Sequence, residues 1–414
     1  IVSNWSYILG KNNHYVIETK DKSYVLDIES ILLNLYNTQV GVLFFFLNNS
    51  KYHEEEDILK INDYGRRIYP HYLSADNSST SSLAKSITLT FDDKEIHEAF
   101  DKTDFLNQPF GISKTILNLF GENLTTKEDK KSQHIVEPII DDRMFVLTWW
   151  GNDEKSKSLK DAFEKNSEFW HKFIFIDGDF NTCQNDDMLK DLLSEHSYNR
   201  WTKCGTFFGI TRYSLALLTK PPQSDPFSLV IRNHMKTLYT QMVCLSLVQR
   251  ASILKFSQDI SNLCLLEDRE GMCNRLLNPS SIQKIHRGYI GFVNQLYFRE
   301  VTAQEQGIEM YRMLINSMGI ERDVKRLGDE IDGLYQYHRL EEERKTNQSL
   351  HLLTIIAAIF LPPTLFLSLF NMLHPVQIHV SLLAGFVIFP IILSLITFCA
   401  NGDVCKKESI HKKT

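Results

Sequence analysis

The sequence predicts a mixed α/β body joined to a long helical stalk that ends in a two-helix membrane hairpin. Three observations predict it. Leu352 to Leu373 is 22 residues without a charge, and Val380 to Ala400 is another 21. Upstream, Glu309 to Ser349 holds no proline and repeats its apolar residues at helical spacing. The first 225 residues mix strand-like apolar runs with short helical stretches.

The body comes first. Strand character is read at Gly41 to Leu47, Ser86 to Phe91, Arg143 to Trp150, Phe173 to Ile176 and Thr206 to Leu218. Ser156 to Phe169 and Asp187 to Glu195 read as helices between them. Lys127 to His134 is polar and reads as a linker. Phe227 to Leu266 then reads as one long helix, with Ile231, Met235, Leu238, Met242, Leu245 and Val248 on one face. Ser280 to Gln304 places Ile282, Ile285, Tyr289, Phe292 and Leu296 likewise. The organisation expected is an α/β regulatory region over 1–225 and a helical region over 226–306. A stalk running into the first span covers 307–373, an outer connector 374–379, a second span 380–400 and a basic tail 401–414.

In the stalk, Ile320, Val324, Leu327, Ile331 and Leu334 keep spacings of 4, 3, 4 and 3. Glu341, Glu342 and Glu343 precede Arg344 and Lys345. The acidic triplet reads as a cation-collecting ring or as a solvated helix face.

About 20 apolar residues cross the roughly 30 Å hydrocarbon core of a bilayer as a helix. The connector from His374 to His379 is short enough to join only antiparallel neighbours. It lacks Lys and Arg, whereas Arg344 and Lys345 precede the first span and Lys406, Lys407, Lys412 and Lys413 follow the second. The positive-inside rule then puts the body and both termini in the cytoplasm. Pro362-Pro363 breaks the backbone pattern within the first span.

Asn347, Leu350, Thr354, Ala357, Leu361, Thr364, Ser368 and Asn371 recur every three or four residues. Such a stripe of small, hydroxyl, amide and leucine side chains packs helices together, or lines a pore shared by several chains. Two spans cannot enclose a pore, so the second reading requires a homo-oligomer.

Other classes find little support. A net charge of −6 argues against binding nucleic acid through bulk charge, and is ordinary for a cytosolic body. The seven cysteines form no CxxC pair and have no histidines at zinc spacing, so reduced, incidental thiols are expected. No P-loop, GxGxxG, HExxH or GxSxG is present, so no enzyme is expected. Asp177-Gly178-Asp179 reads as a cation site or a plain turn. Trp149, Trp150 and Asn152, Trp201 and Arg212 could seat an aromatic ring and a phosphate, or serve as strand core and surface. Ile1 to Lys11 does not read as a signal peptide, and without an initiating methionine further upstream residues are expected.

Lys345-Thr346-Asn347, followed by LLTIIAAIFLPPTLF, closely resembles the first membrane helix of the CorA family of divalent-cation channels. The likeness runs from about Ser280 to Lys413. It implies a homopentameric funnel with a long stalk and a C-terminal hairpin. Carried over by position, it implies a pore lined by Asn347, Leu350, Leu353, Leu361 and Thr364. The periodic stripe adds Ser368 and Asn371, and Met372 keeps its place in the family's Gly-Met-Asn entrance motif. Here that motif reads Asn371-Met372-Leu373, and the connector lacks the usual acidic residues. Magnesium selectivity is thereby in question, although magnesium stays possible as a transported or regulatory ion.

The body resembles a narrower group. GTFFGITRYS, LYTQMVCLSLVQRASILKFS and FREVTAQEQG resemble the CorA-like proteins that accompany type III CRISPR systems. The resemblance implies an antiviral effector opened by a nucleotide second messenger, a conjugate of S-adenosylmethionine and AMP. The alternatives are a housekeeping magnesium or cobalt transporter and a membrane-anchored sensor that conducts nothing.

Overall fold

The structure is a computed structural model. It describes residues 2–66, 84–92, 94–100, 112–120, 124–125, 134–141, 143–270 and 279–373. The expected connector 374–379, second span 380–400 and tail 401–414 lie outside the described residues, as does 127–133 of the expected linker. Two compact units divide the chain, Ile1–Asp332 and Gly333–Thr414.

The first unit begins with an antiparallel sheet. Its elements are β1 (Val2–Ser6), β2 (Asn13–Glu18), β3 (Ser23–Tyr36), β4 (Gly41–Asn48), α1 (Glu55–Tyr64), β5 (Ser86–Phe91), β6 (Lys94–Ala99) and α2 (Lys114–Phe120). The strand order is β1-β3-β2-β5-β6, with β4 also on β3. The 14 residues of β3 serve three partners. β2 pairs with its first part, Ser23 to Asp27, and β1 with its last, Leu32 to Tyr36. β4 pairs from Asp27 to Leu35, overlapping both, so it occupies the other edge. Alternate residues such as Tyr15, Ile17, Tyr24, Leu26 and Leu89 point into one core, as the two-residue period of a strand requires. Of these strands only β4 and β5 were expected. Next come β7 (Leu124–Thr125) and β8 (His134–Ile135), so His134 of the expected linker is in a strand.

A second sheet follows. It comprises β9 (Val146–Gly151), α3 (Asp153–Asp161), α4 (Ser167–Phe175), α5 (Asp186–His196), β10 (Ser197–Tyr198), β11 (Phe207–Ile210) and β12 (Ser214–Thr219). The order is β10-β11-β12-β9, and β9 runs parallel to β12. Every residue of β12 is buried. The core holds Trp150, Phe169, Trp170, Phe173, Ile174, Phe207 and Leu218. Trp170 is fully buried and donates its indole N–H to Ser197 Oγ at 2.8 Å. Each large apolar side chain removed from water here contributes about 1.5–3 kcal/mol.

Three expectations are corrected in this region. Phe173 to Ile176 is not a strand but the end of α4, closed by Ile176 in the left-handed conformation at φ 62°. Phe169 and Phe173, and Trp170 and Ile174, are each four apart, and all four are buried. A short apolar run buried on all sides carries no period that separates strand from helix. The helix expected over Ser156 to Phe169 is two, α3 and α4, separated near Ala162. The run Thr206 to Leu218 is a hairpin. Thr211 turns it, accepting from the amides of Tyr213 and Ser214 at 3.1 Å each.

The helices come last: α6 (Pro226–His234), α7 (Thr240–Glu270), α8 (Pro279–Gln295), α9 (Glu305–Met318) and α10 (Ile320–Leu373). The expected long helix from Phe227 is α6 and α7 joined by one π-helical turn, Met235–Tyr239. α8 stops at Gln295, short of the expected Gln304. The stalk expected from residue 307 is interrupted at Gly319, whose φ of 65° ends α9. That conformation costs glycine least. The long apolar helix therefore starts at Ile320.

Candidate functional site

The site is built on α10. Its 54 residues extend about 81 Å at 1.5 Å per residue. Its apolar part is long enough to cross a membrane, and none of that stretch is buried. Large side chains are exposed on every face: Leu350, Leu352, Leu353, Ile356, Phe360, Leu361, Leu365 and Leu369. A helix apolar all round belongs in lipid or inside a larger assembly.

The expected pore residues lie along this helix. Asn347, Leu350, Leu353, Leu361, Thr364, Ser368 and Met372 are all exposed. Asn371 is in the helix, but its side chain lies outside the described ones. Thr354 donates its hydroxyl to the Leu350 carbonyl at 2.8 Å. Thr364 donates to the carbonyl of Phe360 at 3.0 Å or Leu361 at 2.9 Å. Each hydroxyl proton is thus spent on the backbone. What remains outward is a lone pair, which suits a cation and not an anion.

The first residues of α10 are fastened within the first unit. Arg250 on α7 pairs with Asp323. Burial works to raise the Asp323 pKa, but hydrogen bonds from Arg322 and Arg250 outweigh it and hold the carboxyl below its usual range. From α8, Tyr289 donates to the Val324 carbonyl at 3.0 Å. α7 also meets the N-terminal sheet, where Tyr36 lies 3.2 Å from Cys244 Sγ and Ser252 donates to Thr38 at 2.8 Å, and in the π-helical turn before it Lys236 pairs with Glu29 at 2.7 Å. One helix therefore touches both the sheet and the base of α10.

The expected ligand residues do not converge. Trp149 and Trp150 are neighbours on β9, so they face opposite sides of the sheet. Trp150 packs into the core against Phe169 and Phe173. Trp149 faces α6, with the Arg232 guanidinium 5.5 Å from its ring centre, and donates its N–H to Thr219 Oγ1 at 3.1 Å. Asn152 caps α3 by accepting from the Lys155 amide at 2.9 Å. Trp201 packs on Tyr198 and Phe208, with ring centres at 5.7 and 5.6 Å. Arg212 is exposed in the hairpin turn beside Ser214, while β9 ends at Gly151, opposite Thr219. Those are the two ends of β12. Sequence reasoning missed Arg232, the cation that Trp149 does meet. Its signal is a polar pair, Ser228 and Arg232, four apart on the helix face that buries Ile231 and Met235.

Asp177-Gly178-Asp179 behaves as a turn. Asp177 accepts from the Thr182 amide and hydroxyl at 3.0 and 2.7 Å, and Asp179 accepts from Tyr64 at 2.5 Å. Among the described residues no group of three His, Cys, Asp or Glu side chains is placed to hold a metal. No family model, curated protein or solved structure matches the chain.

Proposed function

We propose that this chain is one subunit of a CorA-like homopentameric cation channel in a bacterial inner membrane. α10 supplies the first span and the pore wall, and residues 380–400 supply the second span. The N-terminal body gates the pore on binding a small nucleotide, a conjugate of S-adenosylmethionine and AMP, and the channel acts as an antiviral effector of a type III CRISPR system. The observation that carries this reading is α10 itself. It is one unbroken helix that passes from a charged collar into a segment exposed and apolar on all sides.

The chemistry of the stripe supports cation passage. Threonine lone pairs and the Asn347 amide replace part of a hydration shell, while Leu350, Leu353 and Leu361 exclude water when the helices approach. The body shifts that equilibrium only as far as the ligand prefers the open state.

Reconstitution tests it. Purified protein in liposomes should pass cations when the conjugate is added and little without it. Leu361→Ser should pass them without ligand. Equal flux with and without the conjugate, together with a silent Leu361→Ser variant, would overturn the reading. Growth rescue of a magnesium-uptake mutant without any nucleotide would favour the housekeeping transporter.

A further inference from the structure

Four arginines among the described residues are buried or half-buried, and three of them meet an aspartate. Arg66 pairs with Asp63 at 3.3 Å, Arg143 with Asp141 at 3.6 Å, and Arg250 with Asp323. Arg232 on α6 does not. Its guanidinium lies over the Trp149 ring, 5.5 Å from the ring centre. Its Nε is buried without an acceptor, and among the described residues no group takes a hydrogen bond from the two terminal nitrogens. A cation drawn out of water is costly until an anion meets it.

One turn earlier, Ser228 is 1% exposed, and its hydroxyl is also buried without a partner. Residues four apart share a helix face, so a guanidinium fork and a hydroxyl stand side by side where the fold supplies no acceptor. Ser228 lies in the first turn of α6, where the helix dipole adds positive potential. The acidic groups at this end are engaged elsewhere. Asp225 caps α6 by accepting from the Phe227 amide at 3.0 Å, and Asp153 accepts from Ser224 Oγ.

The tryptophan beneath is fixed. Its N–H goes to Thr219 Oγ1 at 3.1 Å. Its ring lies so close to Gly151 that a Cβ there would come within 2.9 Å of it. An aromatic face holds a guanidinium while leaving its N–H edge free, and that edge matches the oxygens of a phosphate in pairs. A phosphoryl group has oxygens enough for the fork and the hydroxyl together.

We infer that Arg232 is the receptor for a phosphoryl group, with Ser228 as a second donor and Trp149 as the ring that holds the guanidinium in place. The inference deepens the nucleotide-gated reading and rests on it for the rest of the ligand. It puts the contact on α6, which continues through the π-helical turn Met235–Tyr239 into α7, the helix whose Arg250 holds the base of α10.

Full-length protein in detergent tests this by equilibrium dialysis against AMP and adenosine. AMP should bind the wild type, and Arg232→Ala should weaken it about tenfold or more, the worth of a charge-assisted hydrogen bond. Arg232→Lys, which keeps the charge and loses the fork, should fall between. Adenosine, lacking the phosphoryl group, should bind weakly and alike to all three. Ligand-free Arg232→Ala should unfold at the wild-type temperature or higher, because an unpaired cation has been removed. AMP binding that ignores Arg232, or that adenosine equals, would refute the receptor. So would lost binding in an Arg232→Ala protein that unfolds earlier without ligand, which would assign the residue to the fold. In liposomes Arg232→Ala should lose opening by the conjugate, while Arg232→Ala with Leu361→Ser should still leak. If Arg232→Ala opens like the wild type, this site is wrong and the channel reading stands. If AMP binding depends on Arg232 but neither the conjugate nor Leu361→Ser gives flux, the site stands and the channel reading falls.

Discussion

Tyr289 reaches across to α10 and donates its hydroxyl to the Val324 carbonyl, which it can do because residue 328, one turn on, is glycine. A Cβ on Gly328 would lie 2.6 Å from the Tyr289 hydroxyl oxygen. Gly328→Ala should therefore push the ring away, although alanine is the better helix former by about 1 kcal/mol. We expect a net loss of roughly 1–3 kcal/mol, the usual cost of overpacking. Tyr289→Phe keeps the ring and loses one hydrogen bond, about 0.5–1.5 kcal/mol. Denaturant unfolding of both variants in detergent checks the order.

Gly209 meets α4 in the same way. A Cβ there would lie 2.1 Å from Ile174 Cγ2. Ile174 is itself fully buried and has no room to retreat. Gly209→Ala should cost about 3 kcal/mol, and Gly209→Ala with Ile174→Ala, which removes the clashing Cγ2, should cost less than the sum of the two single changes. Additive losses in that double mutant would show that the two sites do not share the strain.

His171 gives the body an acid-side weakness. It is buried against Phe175, 4.4 Å between ring centres, with Asp177 Oδ2 at 3.6 Å from Nδ1. Burial holds its pKa below the usual value, against the opposing pull of the Asp177 carboxylate. The folded state thus binds a proton less readily than the unfolded one. Its contribution is complete above about pH 6.5 and is lost as pH falls toward the lowered folded pKa. His171→Gln should flatten that part of the stability–pH curve, measured by thermal unfolding between pH 7.5 and 5. An unchanged slope would assign the acid sensitivity elsewhere.

Tyr198 and Glu309 tie β10 to α9, with Arg200 also on the carboxylate at 2.7 Å. Burial, then the Glu309 bond, pushes the Tyr198 hydroxyl up to about 12. Tyr198→Phe should loosen α9 against the second sheet without disturbing the core around Phe208. Faster amide exchange confined to α9 would show it.

The stripe from Asn347 to Ser368 was legible in the sequence because it lies on one helix and its spacing needs no partner to be read. β5 and α5 were legible because their periods are clean and their ends marked. β3 was not, and its bulge shows why. Tyr24, Leu26 and Ile28 are buried at even positions, the register shifts between Ile28 and Ser30, and the buried residue is then Ile31. A period of two that changes phase midway loses its signal. The ligand residues failed for another reason. Adjacent tryptophans on a strand are close in sequence and face opposite sides. The pairs that hold α10, Arg250 with Asp323 and Tyr289 with Val324, are separated by 73 and 35 residues, and neither has a local pattern.

The proline pair in α10 has a consequence for water. Pro362 and Pro363 lie inside the helix, and neither has an N–H to give. In the membrane reading proposed above, the carbonyls of Ala358 and Ile359, four residues earlier, would face hydrocarbon depth without their helical donors. Bare carbonyls there cost several kcal/mol each unless something hydrates them. The backbone itself would then supply a wet belt within the apolar part of α10. In a five-fold assembly ten oxygen dipoles would ring the same level. Substituting both prolines by leucine would dry that level and leave every other side chain in place.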